Sequence, residues 1–135
     1  MYVYMSSEPK FKFTNLLLLF FLFVVIDIVV LSYNHQMWTD LQSVVGAPNV
    51  SLMHGLIAWF LLVLGMYLFI LPKINTIGDS IIWGSIYALI VYGVFDFTNM
   101  AIFPNIYTWE IAGRDILSGM ISTVLALLAY ISIKS

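Results

Sequence analysis

A chain of 135 residues that is 62% apolar and 9% charged cannot keep a soluble globule wet, because ordinary soluble domains carry about 25% charged residues. Its length suggests one domain over residues 1–135, and its net charge of −2 argues against nucleic acid as a partner, which calls for a basic stripe that replaces counterions. With no cysteine, the chain has no disulfides, thiolate metal ligands or thiol catalysis.

Four segments are long and apolar enough to cross roughly 30 Å of hydrocarbon as helices rising about 1.5 Å per residue. The first runs from about Leu16 to Tyr33 and contains Asp27. A central aspartate costs about 2.5–3.5 kcal/mol, but fifteen Leu, Ile, Phe and Val residues between Leu16 and Leu31 return roughly 4.5–9 kcal/mol, so the span inserts. It exceeds the apolar core of a signal peptide, and SYNHQMWTD after it offers no small-residue cleavage site, which points to a retained anchor. The connection Asn34 to Asn49 follows, where Thr39 or Asp40 is placed to cap a short interfacial helix through Val45.

The second span covers about Val50 to Leu71 and ends at Pro72, with Gly78 further on. The third covers about Ser80 to Ala101, and the fourth about Asp115 to Ile133, after a loop holding Pro104, Tyr107, Trp109 and Gly113. Unbroken apolar runs lack the alternation of a barrel strand. The expected fold is all-α, an antiparallel four-helix transmembrane bundle with short loops. Lys10, Lys12, Lys73 and Lys134 fall on one side and Arg114 alone on the other, which places both termini in the cytoplasm. Tyr33, Trp38, Tyr107 and Trp109 would then form an outer aromatic belt.

In this register Asp27 lies near the bilayer centre, while His54 and Asp96 lie about 8–10 Å outward of it. Arg114 and Asp115 sit at the outer rim. Lipid cannot solvate such groups, so they are expected to face the interior and pair. The helix faces agree. Ala88, Tyr92, Asp96 and Asn99 share a stripe, as do Asp115, Gly119, Ser122, Ala126 and Ala129, and His54, Ala58 and Gly65 share a third. Small residues allow close approach, and polar ones bond across the gap. Asp27, His54, Tyr92, Asp96, Asn99 and Asp115 are therefore expected to build one polar pocket beneath the outer surface.

Each residue also has a plainer role. For Asp27, and for Asp96 with Asn99, that role is to lock helices together through satisfied hydrogen bonds. His54 reads as a partner of one of the aspartates in preference to a metal ligand or proton relay. Arg114 suits a headgroup anchor, and Asp115 suits a first helical turn. Trp59 and Trp83 read as packing or lipid-facing residues. No zinc helix, nucleophile elbow, phosphate loop or dinucleotide turn occurs, so no catalytic residue or cofactor is assigned.

The run Tyr92 to Ala101, YGVFDFTNMA, resembles the characteristic motif of a membrane-protein family known as domain of unknown function 2177. Asp96, Thr98 and Asn99 match its Tyr-Asp-Leu-Thr-Asn-like segment, with Phe95 and Phe97 in place of tyrosine and leucine. VVIDIV places Asp27 on the family's first-helix aspartate, and RDILSG places Asp115 and Gly119 on an Asp-Ile-x-x-Gly segment. Ser118 stands where a tryptophan is often found, and Val29 and Val30 lie where another follows the first aspartate. The resemblance implies a four-helix membrane protein marked by three aspartates, and no reaction.

Two functional classes follow. One is a pocket that binds or conducts a cation, proton or small polar solute. The other is a structural or assembly subunit of a larger membrane complex. A lipid-modifying enzyme is a third class, without a motif behind it. The lipid bilayer is the expected partner under all three, with a homo-oligomer or larger complex left open.

Overall fold

The computed structural model describes residues 11–46 and 49–135, so Lys10, one of the four orientation lysines, lies outside the described residues. The elements are α1 (Phe13–Ser32), α2 (His35–Val45), α3 (Leu52–Gly65), α4 (Ile77–Ile102) and α5 (Trp109–Lys134). A π-helical turn (Met66–Ile70) and a 3-10 turn (Leu71–Lys73) prolong α3. Among the described residues, α1, α3 with its extension, α4 and α5 are the four helices long and apolar enough to cross a membrane.

The breaks follow local chemistry. The α2 helix begins at His35, earlier than the expected cap at Thr39 or Asp40, because Asn34 and Trp38 carry the backbone bonding almost straight on from α1. Asp40 instead accepts a bond from Gln36 Nε2 at 2.7 Å. At its other end Gly46 takes φ 74°, the left-handed conformation that suits glycine. Thr76 and Asp79 form a reciprocal capping box that starts α4. Thr108 Oγ1 accepts from the Ile111 amide at 3.2 Å and starts α5 at Trp109, well ahead of the expected Asp115. Glu110, not Asp115, is therefore the acid of its first turn. That shift turns Asp115 from a rim residue into an interior one.

The central helix is α5. Of its apolar stretch 44% is buried, against 22% for each of the other spanning helices. It packs along α4 and α1, while α3 leans on α1 and meets α4 mainly around the π turn. There Gly65 makes room for Tyr87, whose hydroxyl donates to the Leu62 carbonyl at 2.7 Å. Leu16, Leu19, Phe23, Val63, Met66, Leu127 and Ile131 form a dry core toward the end where α1 begins and α5 finishes. Phe21, Leu61, Phe69, Ile90 and Leu117 are each more than half exposed, as a hydrocarbon-facing surface requires.

Candidate functional site

The acidic residues converge by register. Asp96 lies six residues before the end of α4 and Asp115 six residues after the start of α5, so both stand about 9 Å below the same end of the bundle. Asp96 is fully buried and Asp115 is 5% exposed. Their carboxyl groups lie within hydrogen-bonding reach of each other. Two carboxyl oxygens bond only when a hydrogen lies between them. The Tyr107 hydroxyl covers the pair and donates to Asp96 Oδ1, whereas Asp96 Oδ2 has no ordinary donor among the described residues.

Asp27 stands two turns deeper. Trp59 Nε1 donates to its Oδ2 at 2.8 Å and Ser122 Oγ to its Oδ1 at 2.7 Å, so one carboxyl ties α1, α3 and α5 together. Tyr92 links the two levels. Its ring presses against Gly119, which lies on α5 between Asp115 and Ser122, and any Cβ there would run into ring atoms. Between these two levels on α5, Ser118 Oγ accepts from Asn34 Nδ2 at 2.7 Å, fixing the α1–α2 junction to α5.

Several sequence expectations change here. His54 does not join the aspartates. It is exposed, with Nδ1 2.6 Å from Ser51 Oγ, because the first turns of α3 stand away from α4. Ala58 is exposed for the same reason, leaving Gly65 as the packed member of that stripe. Asn99 shares the Asp96 stripe, yet its Nδ2 turns back to the Phe95 carbonyl at 3.0 Å. It lines a hollow of about 230 Å³ beside Trp38 and Tyr107. Arg114 stays at the rim and pairs with Glu110 at 3.0 Å.

Tyr107, expected in the aromatic belt, is instead 3% exposed. Burial, and then its bond to Asp96, hold its hydroxyl above the ordinary tyrosine range, so it remains a donor. Trp59 packs against the core as expected, and its indole N–H also serves as a donor to Asp27. The sequence held one hint of this, since a buried indole N–H needs an acceptor. Trp83 lies beneath the Lys73 ammonium, 4.9 Å from the ring centre.

The chain's residues 12–131 match the family model described as predicted membrane protein, domain of unknown function 2177. The chain belongs to this family. The match spans all three aspartates, Tyr92 and Gly119. No curated protein and no solved structure matches the chain. In this domain-2177 member the Asp-Phe-Thr-Asn run sets Asp96 against α5, and Gly119 clears the space for Tyr92. Thr98 of the same run is exposed.

Tyr107→Phe deletes one donor to a buried carboxyl, and the expected loss is about 1–3 kcal/mol. Unfolding of detergent-solubilised protein measures it. Trp109→Phe, at a 73% exposed ring, should change stability little.

Proposed function

We propose that this protein binds and releases a proton at the Asp96–Asp115 pair, from the end of the bundle that carries α2. The observation behind this reading is the meeting of two carboxyl groups from different helices in a dry interior, beneath the Tyr107 hydroxyl. Two carboxylates at such range repel, and a single proton between them replaces the repulsion with a strong hydrogen bond. A proton also needs no further ligands. Calcium asks for about six to eight oxygens, and magnesium for a near-ideal octahedron. The described residues hold no group of three metal-capable acids, histidines or cysteines.

Asp27 is the coupling carboxylate in this reading, reached past Tyr92. Further along, the interior is the apolar set Phe23, Leu19, Leu16, Leu127 and Ile131. A proton held at the pair therefore exchanges with one side, which favours binding and coupling over an open channel. Lys12, Lys73 and Lys134 stand at the opposite end, and Arg114 at the α2 end. This bias supports a cytoplasmic location for both termini, with the acid pair toward the outer side.

The test is proton uptake by protein reconstituted in vesicles and challenged with an external pH jump. Wild type should take up protons, and Asp96→Asn and Asp115→Asn should each lose that uptake. Full uptake in both variants would refute the role.

A second reading, a structural subunit, draws on Asp27, whose two oxygens are both satisfied by neighbouring helices. It expects no proton uptake in wild type and a stoichiometric partner after gentle extraction.

A further inference from the structure

We infer that the hollow between α2 and the start of α5 is a headgroup site for a zwitterionic aminophospholipid. The inference is independent of the proton site. The hollow measures about 450 Å³, within the range of about 300–1,000 Å³ usual for small-ligand sites. Its place in the fold sets the kind of occupant. α2 contributes no buried residue to the bundle, and it lies at the level of the exposed belt rings Tyr33 and Trp109. This is the depth at which lipid headgroups meet the hydrocarbon.

The lining is dipolar. Asp40 and Glu110 offer carboxylates, and Arg114 offers a guanidinium. Gln36 occupies one oxygen of Asp40 at 2.7 Å and leaves the other open. Glu110 and Arg114 pair at 3.0 Å, so negative and positive groups stand side by side at one mouth. A primary ammonium donates hydrogen bonds to carboxylates, and a phosphate diester accepts the planar fork of an arginine. A headgroup carrying both, one short link apart, complements both signs at once. A trimethylammonium has no N–H to give, and an anionic headgroup without an amine meets the repulsion of two acids.

The wall of the hollow then separates a lipid from a soluble phosphate ester. Met37, Leu41 and Val44 form its apolar side. Acyl chains running along them shield these side chains from water, whereas a free ester leaves them wet.

Native mass spectrometry of the purified full chain, offered dihexanoyl phosphatidylethanolamine, phosphatidylcholine or phosphatidylglycerol, tests the site. Wild type should retain phosphatidylethanolamine in preference to the other two. The double variant Asp40→Asn, Glu110→Gln should lose that preference, while Arg114→Gln should weaken retention of phosphatidylethanolamine and phosphatidylcholine alike, each by about five-fold. Helix content by circular dichroism should match wild type, since the three side chains are exposed. Equal retention of the three lipids by wild type overturns the inference. So does a preference that survives the double variant, or glycerophosphoethanolamine binding as tightly as the lipid.

Discussion

Asp27→Ala is expected to be the most destabilising polar substitution in the chain. It removes the one acceptor shared by Trp59 Nε1 and Ser122 Oγ, and leaves two donors stranded in the interior of a bundle whose outside is lipid. Each stranded donor costs about 1–3 kcal/mol, so the loss should approach about 2–6 kcal/mol. Few small domains exceed about 15 kcal/mol in total. Asp27→Asn keeps a carbonyl acceptor for one donor and should lose about half as much. Unfolding in mild detergent, followed by tryptophan emission, ranks the two. Trp59→Phe, Ser122→Ala and Asp27→Ala together should cost less than the sum of the singles, because removing donors with their acceptor leaves fewer groups unpaired. Additive losses would mean that the three side chains do not act as a unit.

Gly119→Leu should be equally damaging, by a different route. α4 and α5 share the most extensive packing in the bundle, and at Gly119 the Tyr92 ring occupies the space a Cβ would need. The ring must swing away or the helices must part, and either displaces the Asp96–Asp115 contact one turn nearer the α2 end. Overpacking of this kind costs about 1–3 kcal/mol, before any loss from separated acids. Gly113→Ala supplies the contrast. No atom lies within 4 Å of a Cβ there, so the variant should gain about 0.5–1 kcal/mol from better helix propensity. Tyr92→Ala should partly rescue Gly119→Leu if the clash is the cause. Detergent-extracted yield and melting temperature of the four proteins decide the point.

The four crossings were legible because hydrocarbon thickness fixes a helix length and the apolar runs meet it. The stripes on α4 and α5 were legible for a related reason. Asp96 shares a stripe with Ala88 and Tyr92, Asp115 sits on a seam of small and polar residues, and helical spacing carries both directly. What escaped was set by where helices begin and how they lean. Asp115 looked like a rim residue until Thr108 started α5 ahead of it. His54 looked interior by depth, but α3 stands off α4 near its start, a tilt that no periodicity records. Tyr107 has the composition of a belt residue, and only the turn after Phe103, with the Tyr107 amide bonded to the Phe103 carbonyl, folds it back over Asp96. Long-range partners such as Trp59 for Asp27 depend on packing that a single sequence leaves open.

Infrared spectroscopy at neutral pH, with aspartate labelled at the side-chain carboxyl carbon, tests the shared hydrogen most directly. The account predicts an isotope-shifted carbonyl band of a protonated acid in wild type, lost in Asp115→Asn, where an amide now donates to Asp96, and kept in Asp27→Asn. A spectrum containing only ionised carboxylates, or an acid band untouched by Asp115→Asn, would contradict it.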